Sequence, residues 1–528
     1  MRSTFHGLET SKRAILTQQT ALFTVGHNIA NAATKGYSKQ RVNLSATKPI
    51  EAPGMYNGTA PGQLGTGVQY DSIERLRDSY LDLQFRRENG SMAMWNVRNS
   101  TLNSIVSLIN EPSESGLRSV MDKFWDALEV LNRDPGLLSA RIDLVGAAVN
   151  MADAFNAVET GLRSLESDVT TNIERKLAQA NALIENISNM FTLIRRTQAM
   201  GNNANDYLDQ RDKLVDELSS IVDVQVIETP DGGYSIIAAG VTVVNNDAFT
   251  PLTANDVANA LSGELAGYVH SLEEISLIRN QLNAMVDTLV NGEFTVRLEN
   301  GYMTSREMVA LNDVTVVDAN GNQYDIPAGQ TIPAGVEIIT PVEFRVNGFN
   351  GLHRLGYALP DGQTDIPFFV TSDGSGTFTL GNIQVNPDIR KNTNLVAASG
   401  KYEMVDGERR TIRGNSDIAH ALAGLRDKVF NFPSDLTNLS SGTIDDYFRA
   451  VVSDLGTRSS NAERQSKNLK DLTDAIEIRR QEVSGVSLDE ELADMLRFQH
   501  AYNAAARNMT TVDEMLDRII NHMGLVGR

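Results

Sequence analysis

The chain has 528 residues, a formal net charge of −20, a hydrophobic fraction of 41% and no cysteine. The negative charge argues against nonspecific binding to nucleic acid or to an anionic membrane. The absence of cysteine excludes disulfides, thiolate metal sites and cysteine nucleophiles. A chain of this length predicts two to four domains.

The first predicted helix spans residues 3–33 and carries a heptad seam. Its apolar residues recur every seven positions: Leu8, Ile15, Leu22 and Ile29. Residues 1–50 hold seven Lys or Arg and a single acid, Glu9. The stretch Thr34-Lys35-Gly36-Tyr37 ends the helix, because Gly36 is free to take a left-handed turn. Short strands are predicted at 38–44 and 67–73, separated by a loop rich in Gly and Pro.

The middle of the chain is predicted to be mainly helical. The predicted helices are 78–110, 114–132, 138–200, 207–222, 264–290, 418–429 and 444–483. A β-hairpin is predicted at 224–245, turning at Pro230-Asp231-Gly232-Gly233. Residues 297–410 lack helical periodicity, and their β-prone runs predict an inserted all-β domain. These runs are 314–317, 336–339, 342–346, 367–371 and 377–380.

The last predicted helix, 487–523, has an apolar residue at nearly every third or fourth position. This second seam comprises Leu488, Leu492, Met495, Tyr502, Met509, Leu516, Ile520 and Met523, and only Gln499 and Asp513 interrupt it. Residues 487–528 hold four Arg and seven acids, the opposite balance to the N-terminus. We therefore predict that the terminal helices pair, within one chain or between neighbouring chains. Periodicity does not separate these two arrangements.

Together these patterns predict an α+β multidomain fold. Both chain ends build an elongated bundle of long helices with short β elements, and an all-β outer domain is inserted into it. The expected segments are the N-terminal heptad helix at 1–36, a discontinuous helical domain at 37–296 and 411–486, the β-rich insertion at 297–410, and the C-terminal heptad helix at 487–528.

No motif in the sequence indicates catalysis. The seven His are scattered, and neither a phosphate-binding loop nor a GxSxG nucleophile elbow is present. The run Asp318-Ala319-Asn320-Gly321-Asn322 is similar to a calcium loop, but Gln323 stands where that loop needs Gly and Gly329 where it needs Glu. We therefore expect no enzymatic activity, no cofactor and no metal site.

Residues 27–37, His-Asn-Ile-Ala-Asn-Ala-Ala-Thr-Lys-Gly-Tyr, resemble the N-terminal signature of bacterial flagellar rod, hook and hook-associated proteins. All fixed residues of that signature are present, including Asn28, Asn31, Gly36 and Tyr37. C-terminal stretches at 484–491, 497–502 and 510–517 resemble the members of this family that stand between hook and filament. Residues 263–267 and 350–356 fit the same resemblance.

The resemblance implies a non-enzymatic building block, exported through the flagellar type III apparatus without a cleaved signal peptide. Its implied partners are the hook protein, the third hook-associated protein, copies of itself in a ring, and a flagellar export chaperone. The implied location is the extracellular flagellum, after a transient stay in the cytoplasm. The two seams, together with Asn28, Asn31, Gly36 and Tyr37, are the expected assembly interface, and the C-terminal seam is also the expected chaperone site.

Alternative interpretations remain at this point. The chain could be another flagellar axial protein, of the hook or third hook-associated type, or a secreted helical adaptor or adhesin. Adaptors and adhesins do not need the Asn-rich turn at 28–37. An enzyme housed in the β-rich insertion is a third possibility, although no motif supports one.

Overall fold

A computed structural model describes residues 5–49, 64–110, 113, 116–228, 233–359 and 361–522. The chain divides into two compact units. The first unit comprises Met1–Asn96, Ile173–Gly267 and Gln465–Arg528, and the second comprises Val97–Asn172 and Tyr268–Arg464. Both chain termini therefore belong to the first unit.

Twelve α-helices occur in the described residues. In chain order they are α1 His6–Asn31, α2 Ser79–Ile109, α3 Leu117–Arg133, α4 Leu138–Ala199, α5 Asn205–Ile221, α6 Ala254–Val257, α7 Gly263–Asn291, α8 Gly348–His353, α9 Pro387–Lys391, α10 Asp417–Ala423, α11 Ile444–Ser484 and α12 Leu488–His522. Two 3-10 turns, Thr393–Leu395 and Gly424–Asp427, follow α9 and α10.

The strands are short, and every pairing between them is antiparallel. They are β1 Gln40–Ala46, β2 Val68–Arg75, β3 Val224–Glu228, β4 Tyr234–Ala238, β5 Val241–Asn245, β6 Ala248–Phe249, β7 Glu293–Leu298, β8 Tyr302–Met303, β9 Met308–Val309, β10 Val314–Val317, β11 Gln323–Ile326, β12 Thr331–Ile332, β13 Glu337–Ile338, β14 Val342–Asn347, β15 Phe369–Thr371, β16 Ile383–Val385, β17 Tyr402–Val405, β18 Glu408–Thr411, β19 Phe430–Asn431 and β20 Ser441–Gly442.

In the first unit, the pair β1–β2 and the four-stranded sheet β3-β4-β5-β6 accompany the helices. Strand β4 buries every second side chain, which is the pattern of a strand with one face on a core. Tyr234 of β4 stacks on Phe191 of α4, with ring centroids 6.0 Å apart. This contact anchors the sheet on α4.

In the second unit, the core is rich in aromatic side chains. Phe124 of α3 packs on Phe349 of α8 and on Phe369 of β15, with ring centroids 5.5 and 6.1 Å apart. The strands of this unit form the four-stranded sheet β11-β10-β13-β8 and five two-stranded ribbons. Helices α2 and α4 approach closely at Gly161, because a Cβ there would lie 2.6 Å from Leu108 Cδ2.

Residues 350–356 act as a hydrogen-bonding centre in this core. The side-chain oxygen of Asn350, Oδ1, accepts hydrogen bonds from the backbone N–H groups of Phe368 and Phe369, each over 2.9 Å. His353 Nε2 accepts from Ala397 N at 2.9 Å, so Nδ1 carries the proton that faces the Ile366 carbonyl at 2.7 Å. Burial lowers the pKa of His353 to about 4, so the ring is neutral at neutral pH.

The α+β fold class predicted from the sequence is confirmed, with long helices and many short antiparallel strands. Helix α4 begins at Leu138, as the apolar stripe predicts, and extends to Ala199. The predicted hairpin is present as the antiparallel pair β3–β4, but the segment 224–245 also contains a third strand, β5, because Ala239 and Gly240 both have positive φ and form a second turn. The predicted first turn at 230–233 falls largely on residues that lie outside the described part of the chain.

The region 297–410 contains strands at four of the five predicted runs and also two short helices, α8 and α9, that the sequence did not predict. Each has only five or six residues, too few for a periodicity to be visible. The run 377–380 is not a strand, since its residues pair with Asn283 and Asp287 of α7, and β16 begins at Ile383 instead. The predicted helix 418–429 ends at Ala423 and continues only as a 3-10 turn.

Candidate assembly interface

The two terminal helices, α1 and α12, pack against each other in antiparallel orientation. Asn508 Nδ2 donates a hydrogen bond to Ser11 Oγ over 2.9 Å. One turn earlier on α1, Gly7 faces Val512, and a Cβ on Gly7 would lie 3.2 Å from a Val512 methyl. Small residues on α1 therefore let the two helices approach closely.

The same register continues to the other end of the pair. Asn28, near the end of α1, contacts Glu491, in the first turn of α12. From the Ser11–Asn508 contact to the Asn28–Glu491 contact, residue numbers rise along α1 and fall along α12 by the same amount. The helices thus remain in register over most of α1.

A second side of α1 packs on the β1–β2 ribbon. Thr17 Oγ1 donates a hydrogen bond to the Val68 carbonyl over 3.3 Å, and the ring of His6 contacts the Gly65 carbonyl at 3.1 Å. Helix α1 therefore has two packed sides, one on α12 and one on the ribbon.

Asn28 is the centre of a buried hydrogen-bond cluster. Its Nδ2 donates to the Gln40 carbonyl and to Glu491 Oε2, each over 2.9 Å. Its Oδ1 accepts from Gln40 N at 3.0 Å and from the Tyr37 hydroxyl at 2.7 Å. All four bonds that an asparagine amide can make are used, so this position requires both a carbonyl and an amino group.

The rest of the Asn-rich turn shapes the chain so that Tyr37 reaches Asn28. Thr34 donates to the Asn31 side chain at 3.2 Å, and the Tyr37 N–H donates to the Thr34 carbonyl at 3.2 Å. Gly36 has φ +86°, a left-handed conformation that favours glycine. Burial, with the nearby carboxylates, raises the pKa of Tyr37 well above its usual range, so its hydroxyl stays a donor.

Lys39 joins the N-terminal turn to the start of α12. Its Nζ lies 3.0 Å from Glu490 and 3.1 Å from Glu491, whose carboxylate is almost completely buried. Its backbone N–H donates to the Ser484 carbonyl, at the end of α11, over 2.8 Å. A single residue thus connects the N-terminal turn with both C-terminal helices.

Beneath this turn lies a buried network of Asp and Arg side chains, all in the first unit. Ser38 donates to Asp209 through its N–H and its hydroxyl, each at 2.8 Å. Arg75 then bridges Asp209 and Asp212, at 2.9 and 2.8 Å. Arg480 of α11 continues the network to Asp216, at 2.6 Å. The network therefore ties β2, α5 and α11 to the residue after Tyr37.

The charges in this network determine the protonation of Asp212. Burial alone would raise the pKa of Asp212, but the guanidinium groups of Arg211, Arg77, Arg75 and Arg86 hold it well below its usual range. Asp212 is therefore ionised at neutral pH and needs its cationic neighbours.

The predicted N-terminal site residues occupy two kinds of position. Asn28 is buried, Asn31 and Tyr37 are partly buried, and Gly36 is exposed. Leu8, Ile15, Leu22 and Ile29 are only partly buried. The fully buried residues of α1 are instead Ser11, Thr17, Ala21, Thr24, Val25 and Asn28.

The predicted C-terminal seam is likewise divided. Leu516 is buried, and Met495, Tyr502 and Met509 are partly buried. Leu488, Leu492 and Ile520 expose 51%, 51% and 64% of their surface. Met523 lies outside the described residues. The structure thus brings part of the seam against α1 and leaves its two ends open to solvent.

Sequence reasoning missed the contributions of Gly7, Ser11, Lys39, Glu491 and the Asp–Arg network. A signal existed for Gly7. Gly7, Ala14, Ala21 and Asn28 also recur every seven residues, one position before the predicted seam. Because these residues are small or polar, a search for large apolar residues does not find them.

Comparisons with known proteins define the class first. Residues 102–287 match the family described as "Flagellar hook-associated protein FlgK helical domain". Residues 479–522 match "Flagellar basal body rod FlgEFG protein C-terminal", a match that covers the end of α11 and all of α12. The chain is thus a structural protein of the bacterial flagellum.

The relatives identify the family within that class. Flagellar hook-associated protein 1 of Bacillus subtilis is 31% identical over 539 residues, covering 100% of both chains. The proteins of the same name from Salmonella typhimurium and Escherichia coli are each 24% identical, covering 95% of this chain and 97% of theirs. The chain belongs to the flagellar hook-associated protein 1 family. The alternatives of another axial protein, an adaptor or an adhesin are therefore not favoured.

A solved structure, the flagellar hook junction protein FlgK from Burkholderia pseudomallei, is similar to this chain with a TM-score of 0.47 and 13% identity. The match covers 76% of this chain and 100% of the Burkholderia pseudomallei chain. Among the described residues, no helix combines the length and apolar character that crossing a membrane requires.

Proposed function

We propose that the protein is a non-enzymatic link between the flagellar hook and the filament, assembled through its two terminal helices. The observation that carries this proposal is the α1–α12 pair, which leaves large apolar side chains in solvent. Phe23 of α1 exposes 72% of its surface, and Leu488, Leu492 and Ile520 of α12 expose half or more of theirs. The names of the relatives support the flagellar setting.

Assembly with neighbouring chains would bury these side chains. Burying one Leu, Ile or Phe contributes about 1.5–3 kcal/mol relative to leaving it exposed. Ordering a backbone residue costs about 1–2 kcal/mol. Several such side chains per helix are therefore needed to stabilise the assembled state, and both terminal helices carry several.

The proposed partners are those of a protein that links the hook to the filament. They are the hook protein on one side, the third hook-associated protein on the other, and copies of this chain in a ring. Before assembly, an export chaperone would cover the apolar side of α12, and the type III apparatus would export the chain from the cytoplasm to the flagellum. Segments 1–36 and 487–528 would line the central tube. Segments 37–296 with 411–486, and 297–410, would form the outer domains.

The proposal is tested by removing the terminal segments in the native host. Deletion of residues 1–35 or of 488–528 should leave the remaining chain folded but stop its incorporation at the hook. Electron microscopy should then show hooks without filaments, with flagellin in the medium. Normal filaments on either truncated chain would refute the assembly role of that terminus.

A point variant tests whether chaperone binding and assembly use the same surface of α12. Leu492→Asp places a charge on the exposed side of α12 and should weaken both processes. Asn503→Asp is the matched control, because it adds the same charge at an exposed polar position of the same helix. Unchanged chaperone affinity of the Leu492→Asp variant, with assembly lost, would show that the two processes use different surfaces.

A further inference from the structure

A second polar site lies in the second unit, away from the terminal helices in sequence. It is a cleft of about 430 Å³ between the end of β14, the end of α8 and the turn after β15. A volume of this size suits a small ligand or one to two side chains. Three arginines line it: Arg306, Arg345 and Arg354.

These three guanidinium groups are poorly matched by the protein's own carboxylates. Asp365 is shared between Arg306 and Arg354, at 3.7 and 3.9 Å, and Glu293 lies 3.6 Å from Arg345. Within the described part of the chain, none of the three makes a hydrogen bond to a carboxylate, since all these distances exceed hydrogen-bond length. Two carboxylates, at ion-pair distance but without hydrogen bonds, therefore face three guanidinium groups.

Among the three arginines, Arg354 most clearly lacks a hydrogen-bond acceptor. Its Nε is buried and has no hydrogen-bond partner among the described residues. A buried donor without an acceptor costs about 1–3 kcal/mol, and the cost is larger for a charged group. Arg354 directly follows α8, a helix whose residues are all buried in the core, so its backbone is held in place.

The other walls of the cleft suit an acidic side chain. Asn347 and Phe378 line it beside the arginines. Planar guanidinium groups bind carboxylates through paired hydrogen bonds, which are stronger than those between neutral groups. The cleft is also a local excess of positive charge on a chain whose net charge is −20.

We propose that this cleft binds the carboxylate side chains of an acidic polypeptide segment presented by another protein chain. A polypeptide fits better than a free ion, because three arginines on separate elements can engage successive carboxylates. The chain itself is acidic, so a second copy would present such segments. This proposal does not depend on the role at the hook–filament junction.

Isothermal titration of the full-length chain with a hexaglutamate peptide at low ionic strength tests the proposal. We expect saturable binding that weakens at high salt. Arg345→Ala with Arg354→Ala should weaken it at least about tenfold. Arg410→Ala is the matched control, because Arg410 is an exposed arginine on β18 of the same unit and does not line the cleft. It should change affinity less than twofold.

Because Arg354 is partly buried, its replacement could disturb the fold. A second double variant that keeps Arg354 controls for this effect. Arg306→Ala with Arg345→Ala leaves Arg354 in place and should also weaken peptide binding. Parallel titrations with a galacturonate oligosaccharide and with inorganic phosphate distinguish the sources of negative charge. Absence of peptide binding, equal binding by both double variants and the unaltered chain, or binding of only phosphate or saccharide would each overturn the proposal.

Discussion

The side-chain amide of Asn28 donates a hydrogen bond to the carboxylate of Glu491 over 2.9 Å, and the two residues are 463 positions apart. Both side chains are buried. Asn28 belongs to the Asn-rich turn at the end of α1, and Glu491 to the first turn of α12. The turn that ends the first helix therefore also positions the beginning of the last one.

Replacing Asn28 should loosen that junction. Asn28→Ala removes four hydrogen bonds and leaves the buried Glu491 carboxylate with one fewer donor, so we expect a loss of about 3 kcal/mol in the free energy of unfolding. Urea denaturation measures the loss, and hydrogen exchange in the first turns of α12 localises it. Asn31→Ala is the control, since its side chain bonds only within the end of α1 and the following turn. Equal losses in both variants would contradict the central role of Asn28.

The close approach of the terminal helices should depend on Gly7. Gly7→Leu places a branched side chain against Val512 and should separate α1 from α12, which increases hydrogen exchange in both. Gly26→Ala is the matched control in the same helix, because no atom lies within 4 Å of the added Cβ. It should stabilise α1 by about 0.5–1 kcal/mol. A Gly7→Leu chain with unchanged exchange would refute the register.

The buried ion network should be sensitive to loss of one carboxylate. Asp212→Asn leaves several buried arginines without their main partner, and we expect a loss of about 3–5 kcal/mol in the free energy of unfolding. Asp206→Asn is the control, because Asp206 is exposed and pairs with His27 and Gln40 at the rim. Its loss should be below about 1 kcal/mol.

The same network predicts an acid-labile component of stability. The folded-state pKa of Asp212 lies below its unfolded value, so its contribution is present above that unfolded pKa. It is lost as pH falls further. Denaturation of the unaltered chain below pH 4 should therefore be steeper than that of the Asp212→Asn variant. Parallel curves would show that Asp212 is not preferentially ionised in the fold.

His353 predicts a second, separate pH window. Its pKa of about 4 in the fold is below the ordinary value of 6.5, so protonation favours the unfolded chain. Stability should fall between about pH 6.5 and 4, by about 2 kcal/mol at pH 5. His353→Gln should remove this part of the pH dependence, whereas His500→Gln, at an exposed position of α12, should retain it. A His353→Gln chain that keeps the full slope would refute the assignment.

Much of the helical architecture was predictable from the sequence alone. The apolar stripe of α4 continues over many turns, and helical periodicity is a local property that neighbouring residues reveal. The short helices α8 and α9 and the turn at Ala239-Gly240 were not predictable in the same way. Their conformations depend on buried partners, such as Phe124 for α8, that lie far away in sequence.

The sequence identified some residues of the candidate assembly interface, but it did not predict how they are arranged. The Asn-rich turn marked Asn28 and Tyr37, and the opposite charges of the two ends indicated a contact, of which Lys39 with Glu490 and Glu491 is an instance. The network around Asp212 gave no such signal. Carboxylates are abundant in this chain, and a sequence does not tell which of them become buried together.

By itself, the sequence determined that two amphipathic helices stand at the chain ends, that a specific turn follows the first, and that the protein belongs among flagellar structural proteins. Only the tertiary structure decided which side of α1 and which side of α12 pack against each other. The small residues Gly7 and Ser11 face α12, while Leu488 and Leu492 stay exposed. The physical reason is that a heptad pattern specifies a stripe, whereas the register of two helices depends on steric fit and hydrogen bonds between distant residues.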